Sequence, residues 1–324
     1  MADYNYRKSP KHRIISYETE RAMNRRHMVQ ILAVMALSPT AIATKGAAQS
    51  DKREVISSAA GVQATVAPDG VVRIAWSRTD VPVTVDGAPL APAAGLGSWA
   101  AFKAHGDDHV MLMGDTVVFE DEITAAMDAA FAAGLEVTGL HNHFIFDDPP
   151  VYFMHVGGTG PAHDLATGVK AVWDAIRTVR AETPTPRRRF PGSTPTVAGE
   201  FDVASLRRYF EVDPELNGDV VKFTLPRTGR MHGVEVGGSM GLTTWAAFSG
   251  STAMATVAGD FIMTAEEVQP VLRSLRAGDI HVVALHNHMI GETPAFYFVH
   301  YWGKGPAEDL AQGVNAALAV QKGS

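Results

Sequence analysis

Two short stretches of the chain hold residues whose types and spacing suit metal chemistry. The first reads His141-Asn142-His143, with Asp147 and then His155 following, and the second reads His286-Asn287-His288, with Glu292 and then His300 at the same intervals. Side chains alternate across an extended strand, so His141 and His143 leave one face two residue rises apart and both imidazoles can reach one ion. Asn142 then faces away. The residues around His155 form an apolar run of strand length, and the intervening loop lets the chain return, so His155 completes a three-histidine face. His286, His288 and His300 are expected to do the same. Such a set takes Zn²⁺ as first candidate and suits Fe²⁺, Mn²⁺, Ni²⁺ or Cu²⁺ as well. Asp147 and Glu292 stand beside the triads as a fourth oxygen ligand or as the base of a hydrolytic reaction. The bland alternative is two buried hydrogen-bond networks that pin strands and bind no ion.

The elements that must position these residues come from a duplication. Leu140 to Val172 aligns with Leu285 to Ala317 at a constant offset of 145 without a gap, and 19 of the 33 positions are identical. The match extends upstream, where Trp99-Ala100-Ala101-Phe102 answers Trp245-Ala246-Ala247-Phe248 and Gly114-Asp115 answers Gly259-Asp260. A unit this long is a duplicated domain, since solenoid repeats run about 20–50 residues. The acid changes from Asp147 to Glu292 between copies and keeps its place and charge. The expected organisation is a first repeat domain over 54–182, a Pro-rich linker over 183–199 containing Arg187-Arg188-Arg189, and a second repeat domain over 200–320.

Each copy reads as strand, strand, helix, strand, strand, helix. In the first, Val110 to Phe119 is a strand and Glu120 to Ala133 a helix closed by Gly134. Leu135 to His141 and Val151 to Val156 are strands, and Pro161 to Arg177 is a helix with Pro in its first turn. Two strands closely followed by a helix predict an α+β class: two duplicated α/β-sandwich-like domains, each with a mainly antiparallel sheet and two main helices. Other candidate contacts are weaker. Arg78 and Arg227, on early strands, are candidates to hold a substrate carboxylate or phosphate, with a structural salt bridge as the alternative. Lys304 lies in a Gly-x-Gly-Pro turn at a helix start, where free backbone N–H groups can bind an anion.

Composition narrows the function classes. The chain has 324 residues, 46% of them hydrophobic, and no cysteine, which excludes disulfide scaffolds, thiolate metal sites and cysteine nucleophiles. The net charge is −7, yet residues 1–43 hold seven Arg/Lys against three Asp/Glu, leaving 21 against 32 in the remainder. So acidic a body does not suit nucleic acid as a partner. Arg25-Arg26, the apolar run Met28 to Leu37 and Ala41-Ile42-Ala43 read as a signal peptide over 1–43, with Met23 a plausible start and a loose twin-arginine pattern. The run is too short for a permanent membrane anchor. The expected location is therefore periplasmic or secreted, and the expected partner a small-molecule or cell-envelope substrate.

The paired Leu-His-Asn-His segments, the Phe-x-His after each, the Gly-x-Gly-Pro-Ala continuation and the run from Gly259 to Pro270 resemble the LppY/LpqO family, also known as domain of unknown function 1259. The likeness spans most of 54–320. It implies an exported two-repeat protein and no particular reaction. Mycobacterial members of that family are lipoproteins, an anchoring that a chain without cysteine does not share. The His-x-His-x-x-x-Glu spacing also resembles the first motif of cupin barrels, but the helices following each hairpin make this a likeness of ligand geometry and not of fold. A metal-dependent hydrolase is the leading reading. Its alternatives are a metal-dependent oxygenase, a non-catalytic metal- or ligand-binding protein, and a structural duplicate with buried histidines.

Overall fold

The computed structural model describes residues 51–106, 109–195 and 199–322, and the signal peptide expected over 1–43 lies outside them. In the first repeat, alternating apolar residues build β1 (Thr65–Val66), β2 (Val72–Ser77), β3 (Gly97–His105) and β4 (His109–Phe119). After these come α1 (Ile123–Ala132), β5 (Glu136–Asn142), β6 (Val151–Pro161) and α2 (Ala162–Glu182). The second repeat opens on a short helix, α3 (Val203–Arg207), and continues with β7 (Glu215–Asn217), β8 (Val220–Pro226), β9 (Thr243–Gly250) and β10 (Ala255–Met263). It closes with α4 (Ala265–Ala277), β11 (His281–His286), β12 (Tyr297–Gly305) and α5 (Ala307–Lys322).

The helix boundaries follow local chemistry. Helix α4 starts at a capping box between Thr264 and Glu267, and Val268, Val271, Leu272 and Leu275 form its buried stripe. Helix α1 stops where Gly134 takes a left-handed φ of 76°, a conformation glycine adopts without strain. The predicted strands and helices are present in each copy. The sequence pattern gives four strands per copy, with Arg78 on an early strand, and the sheet has six per copy, β1 and β2 extending it outward in the first repeat.

All twelve strands join one sheet in the order β1-β2-β3-β4-β6-β5-β11-β12-β10-β9-β8-β7. Its two halves have the same strand order read from opposite edges, and each pairs its strands antiparallel. The halves meet where β5 pairs antiparallel with β11 at Leu140↔Leu285. These two leucines are equivalent at the offset of 145, so the seam is a pseudo-twofold contact. The class is α+β, as expected, and the duplicated sheets are fused edge to edge.

One face of the sheet packs under the helices in the main core, which includes Leu140, Met154, Trp173, Leu275, Leu285 and Val299. The other face carries two smaller apolar clusters. One contains Val83, Val117, Phe119 and Phe153 and the other Val236, Ile262, Phe296 and Phe298. Near each cluster lies a three-stranded ribbon, the first made by Ala88–Pro89, Thr84–Val85 and Asp147–Asp148, the second by Val234–Val236, Gly229–Met231 and Glu292–Thr293. Strand alternation places His141 and His286 on this second face, one residue beyond the buried seam leucines.

Candidate metal centre

In each repeat the three histidines converge on this open face. His141 stacks on His143 and His155 with ring centroids 5.1 and 4.9 Å apart, and His286 on His288 and His300 at 5.1 and 5.0 Å. The ligand atoms of His286, His288 and His300 all lie within 4.8 Å of one another. In the first repeat, His141 Nε2 and His155 Nε2 approach to 2.7 Å. One of these nitrogens must carry the proton and the other accept it. Two imidazoles sharing a tetrahedral ion at about 2.0–2.1 Å would stand farther apart.

The motif residues between the histidines hold them in place. His141 Nδ1 donates to Asn142 O and His286 Nδ1 to Asn287 O, each at 3.2 Å, which orients both rings and directs Nε2 away from the backbone. Asn142 and Asn287 brace the following turn by donating to Phe144 O and Met289 O at 2.6 and 2.7 Å. Phe153 and Phe298 give the Phe-x-His motif its meaning. His143 lies flat on Phe153 at 3.3 Å and His288 on Phe298 at 3.4 Å. Gly139 is opposite His155 in the β5–β6 register, and a Cβ there would sit 2.9 Å from His155 Cδ2, so the glycine lets that ring lean toward His141.

A carboxylate that the sequence reading left out of the site faces each triad. Asp115 is the cross-strand partner of His155, and Asp260 of His300, and the two aspartates are equivalent at the offset of 145. Asp115 Oδ1 lies 3.8 Å from His155 Nδ1. Asp260 Oδ2 lies 3.9 Å from His288 Nε2 and 4.0 Å from His300 Nδ1. Both are buried, and Asp115 Oδ1 and Asp260 Oδ1 have no hydrogen-bond partner. Burial pushes the Asp260 carboxyl up to about 7, and Asp115 is raised by burial against the opposing pull of the three nearby histidines. Burial also lowers His143, and burial with the neighbouring imidazoles lowers His288 and His300, which favours the neutral form that binds metals. In the second repeat three imidazoles beside a buried carboxylate with an unpartnered oxygen fit a divalent transition metal, and in the first His141 and His155 would have to part to admit one.

The other candidate residues have partners within the protein. Asp147 Oδ2 accepts from Val151 N at 2.7 Å and Glu292 Oε1 from Phe296 N at 2.9 Å, so both acids brace their own hairpin loops, although Glu292 Oε2 is left without a partner. Asp115 and Asp260, and not Asp147 and Glu292, face the histidine nitrogens. Arg78 is fully buried and donates to both oxygens of Glu122, both of Asp80 and Val117 O, which leaves its guanidinium no edge for a substrate. Arg227 is held by Glu267 at 2.5 and 2.9 Å. Lys304 donates to Phe190 O, Gly192 O and Thr194 Oγ1, fastening the linker to the second repeat in place of an anion. The signal for Asp115 and Asp260 was present in the repeated Gly-Asp pair, but linking it to the histidines required the strand register.

Among solved structures, the chain is similar to a trimeric bacterial microcompartment shell protein, PduB, at 11% identity and a TM-score of 0.19 over 79% of this chain and 89% of that one. It is similar to EtuB from Clostridium kluyveri at 9% identity and a TM-score of 0.20 over 80% and 91%. At these scores neither likeness bears on the site. No curated protein matches the chain. The family model described as Domain of Unknown Function (DUF1259) matches residues 54–175 and again 204–320, one match over each repeat and each histidine set, and the chain belongs to that family.

Proposed function

We propose that this is an exported metal-dependent hydrolase in which each repeat holds one divalent transition metal, zinc being the first candidate, through His141, His143, His155 and Asp115 or through His286, His288, His300 and Asp260. The observation that carries this reading is the buried Asp260 with an unpartnered oxygen facing the clustered His286, His288 and His300, with Asp115 placed likewise beside the first triad. An unpaired carboxylate in such a place is costly unless a cation compensates it. When bound, such a metal supplies Lewis acidity toward water and toward a substrate carbonyl or phosphoryl oxygen.

The chain's own residues supply orientation and access. The asparagine carbonyls and the flat faces of Phe153 and Phe298 fix the imidazoles, while the half-exposed outer edges of His155 and His300 leave each centre open to solvent. A cavity of about 690 Å³ borders His155 and one of about 510 Å³ borders His300, room enough for a substrate. Export is carried by the signal-like residues 1–43. No helix among the described residues is long and apolar enough to cross a membrane. A second reading, metal binding without turnover, draws on the four-donor set, since a centre closed by protein ligands is characteristic of structural sites.

Hydrolysis of p-nitrophenyl acetate and bis(p-nitrophenyl) phosphate decides between them. A hydrolase loses turnover on chelation, regains it with Zn²⁺ or Mn²⁺, and loses it in the His155→Ala, His300→Ala double variant. Fully loaded protein with no turnover above buffer would favour the binding reading.

A further inference from the structure

The two cavities beside the histidines are equivalent by the repeat, and one of them is walled in part by the chain's own linker. The strands of the second repeat line its cavity through residues that include Trp245, Ala258, His300, Trp302 and Lys304, and the linker lines it through Arg189, Phe190 and Thr194. Phe190 lies flat on His281 at 3.9 Å and 7°, and the Lys304 ammonium grips the carbonyls of Phe190 and Gly192 and the hydroxyl of Thr194. A polypeptide segment is thus seated by aromatic stacking and by contacts to its main chain.

At the offset of 145 the first repeat presents the same trough with other side chains. Gly157 replaces Trp302, Thr159 replaces Lys304, Met113 replaces Ala258 and Glu136 replaces His281. Losing an indole widens the trough, in line with its volume of about 690 Å³ against about 510 Å³. No linker residue lines it. Met113 is 60% exposed and Met111 43%, a pair of adaptable thioethers beside Trp99 that suits an apolar side chain. The exposed Glu136 carboxylate forms no ion pair among the described residues, and it puts an acidic group where the other copy has His281.

We infer that the open trough of the first repeat, bounded by Trp99, Met111, Met113, Glu136, Gly157 and His155, binds an extended polypeptide segment carrying an apolar side chain next to a basic residue. The basic residue pairs with Glu136, and the apolar one lies against Trp99 and the methionines. The peptide runs past His155, where the corresponding wall beside His300 is formed in part by the chain's own linker. That the bound segment is also what is hydrolysed rests on the reading above. Its binding does not, and can be measured with the metal removed.

The test uses the full chain in excess chelator and a fluorescein-labelled synthetic peptide of residues 186–195, which contains three arginines followed by Phe190. Fluorescence anisotropy is expected to show saturable binding of one peptide per chain. Gly157→Trp gives the first trough the indole of the second, and a Cβ at this position meets nothing nearer than Thr138 Cγ2 at 3.5 Å. It should weaken binding at least about tenfold, and so should Glu136→Lys, a surface change that leaves folding intact. Absence of binding at millimolar peptide, or saturable binding that neither variant weakens, would overturn the inference. Retained peptide binding with no hydrolysis in the loaded protein would instead count against the hydrolase reading alone.

Discussion

Asp260 is the residue on which metal binding and stability pull in opposite directions. Its carboxyl, raised to about 7 by burial, holds its proton more tightly in the folded chain than in the unfolded one. Its contribution to the stability of metal-free protein therefore declines as pH climbs from the ordinary carboxylate range through 7. Asp260→Asn keeps the shape and removes the charge. In chelator at pH 8 this variant should melt at or above the wild-type temperature and lose that part of the pH dependence, yet its metal affinity should fall on the order of 10–100-fold. A purely structural aspartate would give the reverse, a lower melting temperature with metal affinity unchanged. The histidines were legible in the sequence because their spacing is local and repeated. Asp115 and Asp260 were not, because they reach the triads through pairing of β4 with β6 and of β10 with β12, contacts that no local spacing encodes. Asp147 and Glu292 were legible as acids near the histidines, and their hydrogen bonds to Val151 N and Phe296 N, which brace the hairpin loops, were not.

At the scale of elements, each repeat ties an early strand to the start of its first main helix through an arginine and a glutamate, and the two ties differ in depth. Glu122 is fully buried and accepts from Arg78, from Arg180 on α2 and from Phe119 N, so one carboxylate joins three elements. Its counterpart Glu267 pairs with an Arg227 side chain that is 29% exposed. Removing a buried partner strands the opposite charge, so Glu122→Ala should cost about 3–5 kcal/mol in urea denaturation. Glu267→Ala should cost less, about 1–3 kcal/mol. Burial alone would raise Glu267, but the hydrogen bonds from Arg227 and Thr264 N hold it below the usual glutamate range. Its contribution is therefore present above the unfolded-state pKa and lost as pH falls through the lower folded one, so Glu267→Gln should flatten the acid limb of stability against pH. Equal losses for the two alanine variants, or an unchanged acid limb, would show that the ties do not carry this load. Helices α1 and α2 and strands β4 to β6 were legible from caps and alternation. The partners of Arg78 and Arg227 were not, since a buried arginine and a substrate-binding one look alike in sequence.

For the whole molecule, the duplication read as two domains joined by a linker, and the structure shows its two halves sharing one sheet across a pseudo-twofold seam. Side chains of α4 stitch that seam. Gln269 bonds both Val137 N and Val137 O, and Arg273 donates to Phe131 O and Leu135 O, so the second repeat satisfies backbone groups of the first. Such fusion is invisible to repeat analysis, because the β5–β11 edge pairing of a duplicated unit with its copy leaves no distinctive spacing. It places both histidine sets on one face of one sheet while keeping each set within its own repeat. Two separate metal centres in a single folding unit are therefore the expected outcome. The most direct test is the metal content of full-length protein reconstituted with Zn²⁺ and dialysed, measured by inductively coupled plasma mass spectrometry. Two equivalents are expected for the wild type, one for His143→Ala and one for His288→Ala, whereas less than one equivalent of Zn²⁺, Mn²⁺, Fe²⁺, Ni²⁺ or Cu²⁺ in the wild type, with no gain in melting temperature on their addition, would contradict it.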